Sequence, residues 1–343
     1  MKIAIIGAGI IGVSTAYRLK TTFPDLDVTV ISKDFSPNTV SDVAAGFWEP
    51  FCFGKTPLDN VMKWSKETYD LVIETIRDDP DSAKCGFSRC HGYNLSENNS
   101  IEIPSWTKIV HDFKVMFEED LKGFPEFANS GFSFTTVFIE PLKYIPWLSK
   151  GFEKLGGRFV RQTVTSLGEV CNTYDVIVNC TGFGSKTLLD DNLMYPIKGQ
   201  VMRVKAPWVK EFVIYETHDR VSYVLPNQDW VILGGTKYEN NPNTDVWIGD
   251  KAAIINGVLE LCPSLKHATH LSDWAASRPC RSSMRVEKED LLVPAKDGAR
   301  TVKVVHNYGH GGSGVTVHWG CAGEAVQLIT QCMDEIRQQK SKL

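Results

Sequence analysis

No block of basic residues interrupts this 343-residue chain, and its formal charge is only −4, so nothing in it recruits nucleic acid or an anionic membrane. Its apolar runs are of strand length, far short of the ~20 residues that carry a helix across a bilayer. Repeats and low-complexity tracts are lacking, which removes solenoids and disordered arrays. Nine cysteines occur, but without paired short spacings, so neither a zinc site nor a disulfide framework is expected and the thiols read as reduced. The eight histidines show no metal-ligand pattern either. His306, His310 and His318 fall close together but flank a glycine loop, and no metal is expected. The first strand starts at residue 2, with no signal peptide before it.

What remains is an ordinary globular composition, 43% apolar and 23% charged, in a chain long enough for two domains. Its organising stretch is the amino terminus, Lys2-Ile-Ala-Ile-Ile-Gly-Ala-Gly-Ile-Ile-Gly12. Ile3 to Ile6 reads as a buried strand, Ile10 to Leu19 as a helix, and Val28 to Ile31 as the next strand. That context makes G-x-G-x-x-G a dinucleotide fingerprint. Gly7 permits the tight turn, Gly9 lets the backbone close on a pyrophosphate, and Gly12 lets helix and strand pack. The positive end of the helix then holds the phosphates. Sites for NAD place an acid at the end of the second strand. Here Ser32 stands there and Asp34 comes two places late, which argues against an NAD-linked dehydrogenase.

Further on, Ser36 to Gly46 is rich in turn formers and small residues, and Asp59 to Ile76 has helical apolar spacing. Asp78 to Ser105 reads as polar and irregular. A helix is expected from Pro141 to Leu155, stopped by Gly156-Gly157, with a strand over Arg158 to Gln162. Tyr174 to Gly182 is a strand running into a glycine turn. Residues 195–275 alternate as a mostly antiparallel sheet. Val302 to Gly314 is a strand entering a loop with four glycines in six residues, followed by a helix over Val315 to Gln338. This second strand-loop-helix should close beside the first.

In this order the stretches resemble the D-amino acid oxidase and D-aspartate oxidase family. The motifs are GAGIIG at 7–12, SDVAAG at 41–46, VNCTG at 178–182, GQVMRVKAPW at 199–208, LGGT at 233–236, SRPCR at 277–281 and HNYGHGGSGVTVHWG at 306–320. The resemblance implies a mixed α/β (α+β) fold. A Rossmann-like FAD-binding domain is expected over residues 1–50, 140–190 and 276–343. The inserted substrate domain, mostly antiparallel, would take 51–139 and 191–275. It implies noncovalent FAD held by Gly7, Ala8, Gly9 and Ile11 at the pyrophosphate and by Lys33 and Asp34 near the adenosine. Val40, Ser41, Ala45, Gly46 and Phe47 would run along the flavin. Val164, Thr181, Gly311, Gly312, Ser313, Gly314, Val315 and Thr316 complete the set.

For the substrate, the resemblance places Arg281 on the α-carboxylate, with Arg278 a positional rival, Tyr223 supplying a hydroxyl, and the Gly312 carbonyl taking the amine. No general acid or base is expected, because hydride can pass directly from Cα to flavin N5 while O2 reoxidises the flavin. Lys237 sits where the aspartate-preferring branch carries an arginine, and Arg220 offers another cation, so D-aspartate and D-glutamate are the expected substrates. Against an acidic substrate stand Glu49 and Glu216, which would favour a neutral or basic D-amino acid. A catalytically silent flavin protein is the remaining alternative. The terminal Ser341-Lys342-Leu343 matches the address read by the peroxisomal import receptor, so the peroxisome matrix is the expected compartment. Self-association into a homo-oligomer is left open.

Overall fold

A computed structural model describes residues 1–217, 220–295 and 298–341; Lys342 and Leu343 of the terminal address lie outside the described residues. The strands are β1 (Lys2–Ile6), β2 (Asp27–Ser32), β3 (Phe87–Ser96), β4 (His111–Val115), β5 (Ser130–Ile139), β6 (Arg158–Arg161) and β7 (Val176–Asn179). They continue as β8 (Met194–Lys205), β9 (Phe212–Glu216), β10 (Val221–Pro226), β11 (Val231–Gly234), β12 (Tyr238–Glu239), β13 (Thr269–Ala295) and β14 (Gly298–His310). All belong to one sheet, in the order β4-β5-β3-β9-β10-β11-β8-β13-β14-β7-β1-β2-β6, with β12 added beside β8. The helices are α1 (Ile10–Thr22), α2 (Leu58–Asp78), α3 (Glu118–Leu121), α4 (Pro141–Lys154), α5 (Ser185–Leu188), α6 (Ile248–Leu261) and α7 (Gly314–Lys340).

From β14 through β7, β1 and β2 to β6 every neighbouring pair is parallel. Strands this deep need apolar side chains on both faces, and Ile3, Ile5, Val28, Val30, Val176 and Val178 are fully buried. Helix α1 buries Ile10, Val13, Ala16 and Leu19 on this sheet. Helix α7 packs beside it, since Arg18 donates to the Trp319 carbonyl at 2.6 Å, and Asn307 of β14 donates to Thr15 Oγ1 of α1 at 3.2 Å. The two strand-loop-helix units therefore do adjoin. Beyond β13 the pairing is antiparallel, apart from β3 with β9.

Two stretches differ from expectation. Residues 78–105 are not wholly irregular, because β3 lies inside them. Its Asn94 and Ser96 are polar but buried, and pairing to β5 and β9 satisfies their backbone. Residues 195–275 are not all strand, because α6 covers the back of β8, β10 and β11 with Ile254 and Val258. No helix among the described residues is long and apolar enough to cross a membrane.

Candidate active site

Where β1 turns into α1, positions 7 and 12 accept only glycine. Gly7 takes φ +108°, and a Cβ there would sit 2.3 Å from the Cys180 carbonyl oxygen. A Cβ on Gly12 would sit 2.0 Å from the Gly7 carbonyl oxygen. Ser41 Oγ accepts the Ile10 N–H at 3.0 Å, while the rest of the first turn keeps donors without intrahelical partners. These donors and the helix dipole form an anion cradle that fits a pyrophosphate. At the end of β2, near Lys33 and Asp34, opens a cleft of about 440 Å³ that includes Ala8, Phe35, Ser36, Lys150 and Arg161. There Arg161 lies 4.9 Å over the Phe35 ring. Thr181, two residues past the end of β7, donates its hydroxyl to Asn179 Oδ1 at 2.8 Å. Val164 packs half-buried against the β1–β7 side of the sheet. Val40 is exposed, Gly46 takes φ +78°, Ala45 accepts a bond from Asn227, and the Phe47 ring packs 4.9 Å from Phe212.

The loop from β14 into α7 clasps residues 49–51. Ser313 Oγ accepts the Phe51 N–H and donates to the Phe51 carbonyl, both at 2.8 Å. Thr316 Oγ1 accepts the Glu49 N–H at 3.2 Å and donates to the Glu49 carbonyl at 2.8 Å. Gly312 comes so close that a Cβ there would lie 2.6 Å from the Phe51 ring. His310 is fully enclosed in this loop, and burial pulls its imidazole down to about 3.

Strand register assembles the opposite wall. Directly paired residues of antiparallel strands share a sheet face, and so do residues two apart. Arg278, Ala276 and Trp274 share a face with Val201, which pairs Gly234, which pairs Tyr223; Val221, two before Tyr223, pairs Glu216. One face thus carries Arg278, Tyr223 and Glu216. Glycines make the room: a Cβ on Gly199 would meet the Arg278 guanidinium at 2.6 Å, and one on Gly234 the Tyr223 ring at 2.3 Å. Burial raises the Tyr223 pKa, and the charge of Arg278 opposes the rise. The Arg278 and Lys237 cations each lie 5.8 Å from the centre of the Phe51 ring, on the clasped segment. Among the described residues Arg278 has no carboxylate partner; its bonds are two long ones, at 3.4 Å, to the Lys198 and Thr236 carbonyls.

Arg281 does not join them. Three residues beyond Arg278 in an unbroken register, it falls on the other face of β13, along Gly309. Its Nε donates to Asp191 Oδ2 at 2.8 Å, and Tyr308 donates to the same oxygen at 2.6 Å. Burial raises the Asp191 pKa, but the bonds from Tyr308 and Arg281 outweigh it and hold the carboxyl below its usual range. Arg281 is thereby spoken for inside the protein, and the rival Arg278 is the arginine that faces Tyr223. Strand parity between Tyr223, Glu216 and the two arginines is the signal that separates them. Phe51 had no signal of its own, because its place depends on the clasp.

Three more charges surround the recess. Glu49 is half-buried, and desolvation together with the charge of Glu216 pushes its carboxyl up to about 8. Glu216, exposed at the end of β9, is also raised, by partial desolvation and against the pull of Lys237. Lys237 lies 3.5 Å from Glu239. Arg220 pairs instead with Glu260 on α6 and is turned from the recess.

A family model described as FAD dependent oxidoreductase matches residues 2–328. This chain belongs to that family. The oxidoreductase is 35% identical to human D-aspartate oxidase over 337 residues, covering 98% of this chain and 96% of that protein. It is 34% identical to the D-amino acid oxidase of Dugesia ryukyuensis, covering 97% and 98%. Glycine oxidase from Geobacillus kaustophilus shares the fold, with a TM-score of 0.75 at 16% identity over 96% of this chain and 94% of that one. The cofactor of the oxidoreductase is FAD, and the glycine cradle accommodates it; an NAD-linked dehydrogenase is set aside.

Proposed function

We propose that this oxidoreductase deaminates D-amino acids oxidatively, giving the 2-oxo acid, ammonia and hydrogen peroxide. The observation that carries the reading is an arginine with no carboxylate partner among the described residues, Arg278, on the sheet face that also carries Tyr223. A planar guanidinium matches two carboxylate oxygens, and the phenol donates to the same group. The Gly312 carbonyl, beside Phe51, takes the amine. With both ends of the amino acid fixed, the Cα hydrogen is aimed by position and needs no acid or base. Bound FAD supplies the acceptor for two electrons, which pass on to O2. Gly7, Ala8, Gly9 and Ile11 would hold its pyrophosphate, Lys33 and Asp34 the adenosine end, and the α7 loop from Gly311 to Thr316 the flavin end.

The names of the relatives in humans and the planarian support this substrate class. Lys237, held near Arg278 across Phe51, supports D-aspartate and D-glutamate, whose second carboxylate it would meet. The terminal Ser341-Lys342-Leu343 supports a place in the peroxisome matrix, where the peroxide would be contained. Purified protein should be yellow and release peroxide with D-alanine or D-aspartate. A yellow protein silent towards every D-amino acid would reject the reading, as would equal activity towards L-enantiomers.

A further inference from the structure

We infer that Glu49 and Glu216 form a subsite for a cationic side chain, so that the oxidase also takes basic D-amino acids such as D-lysine, D-ornithine and D-arginine. The inference rests on the reading that Arg278 holds the α-carboxylate, and it does not depend on the acidic substrates proposed through Lys237.

The two carboxylates reach one recess from independent elements. Glu49 stands on the segment clasped by Thr316, so its backbone is fixed at both the N–H and the carbonyl. Glu216 ends β9 on the sheet face that carries Tyr223 and Arg278. Neither has an ion-pair partner among the described residues, whereas Glu239 and Glu260 do. Arg220, the nearest cation in sequence to Glu216, is used by Glu260. Lys237 is shared with Glu239. Once a substrate α-carboxylate satisfies Arg278, the charges on this side of the sheet are, among the described residues, three acids, Glu49, Glu216 and Glu239, and one base, Lys237.

A half-buried carboxylate, Glu49, whose charge is opposed by that of Glu216 at the open end of β9, is costly to ionise unless a cation lies beside it. In the free enzyme the cost is relieved by a proton, which fits the raised pKa values of both groups. An ammonium or guanidinium on the substrate would replace that proton with a charge-assisted pair.

The test compares D-lysine with D-norleucine, which has the same carbon chain without the ammonium group. In wild-type holoenzyme kcat/KM for D-lysine should exceed that for D-norleucine about ten-fold, a modest value for a partly desolvated pair. Glu216→Gln and Glu49→Gln should each cut this ratio at least several-fold, and Lys237→Ala, which removes a competing cation, should raise it. Flavin absorbance and thermal melting show that the variants are folded. A wild-type ratio at or below one, or ratios that neither glutamate substitution moves, overturns the subsite while D-alanine turnover leaves the general reading standing. Absence of peroxide from every D-amino acid overturns both.

Discussion

Arg278→Leu and Arg281→Leu, three residues apart on one strand, should fail in different ways. Among the described residues Arg278 has no acid to stabilise, so its loss should cost little stability. It would instead leave the substrate carboxylate without its partner. Truncating one side of such a pair costs about 2–5 kcal/mol, or roughly 30- to 5,000-fold in kcat/KM. Arg281 is the reverse. Its side chain is 16% exposed and that of Asp191 7%, so removing the guanidinium strands a buried carboxylate. Breaking a buried pair from one side costs about 3–5 kcal/mol of folding free energy, enough to lower Tm by several degrees. Peroxide release from D-alanine and D-aspartate, flavin absorbance and thermal melts read all three quantities. Kinetics within about three-fold of wild type for Arg278→Leu would refute the assignment. So would an Arg281→Leu enzyme that melts normally but loses turnover.

Lys237→Ala should reduce kcat/KM for D-aspartate far more than for D-alanine; an equal effect on both would show that Lys237 does not read the substrate side chain. Gly12→Ala should abolish flavin binding, because its methyl group would lie 2.0 Å from a backbone oxygen; a yellow variant with normal turnover would contradict the cradle. Buried His306, His310 and His318 are pulled down to about 3, 3 and 4, by burial above all. The unfolded chain therefore binds more protons below about pH 6.5, and stability should fall as the medium is acidified towards pH 4, by up to ~1.4 kcal/mol per pH unit for each imidazole. Melting curves between pH 7.5 and 5 check this, and a flat profile would count against it. Deleting Ser341-Lys342-Leu343 should disperse a fluorescent fusion that otherwise colocalises with catalase-containing particles.

The parallel end of the sheet was legible because its signals are local. Ile3 to Ile6, the glycine turn and α1 follow one another within twenty residues, and each glycine answers to a contact nearby or to β7. The strand β3 was hidden because pairing to β5 and β9, distant in sequence, satisfies polar residues such as Asn94 that suggest a loop. Helix α6 was hidden inside a strand-rich region because its amphipathic character is weak and its apolar residues serve the back of the sheet. The choice between the arginines was recoverable in principle. Residues at odd spacing on a strand point to opposite faces, yet which face looks into the recess depends on four strand pairings that no single motif encodes. Glu49 and Glu216 were visible as misfits, but that they lean on one another emerges only when β9 and the clasped segment come together.

The grip of Ser313 and Thr316 on residues 49–51 makes one mechanical part of two chemical ones. The same few residues begin the helix that should steady the isoalloxazine and anchor the floor on which a substrate side chain rests. An enzyme stripped of its flavin would therefore be expected to lose its discrimination between substrates together with its colour. Directed evolution of side-chain preference at Glu49 would have to proceed without disturbing the buckle that keeps the prosthetic group in place.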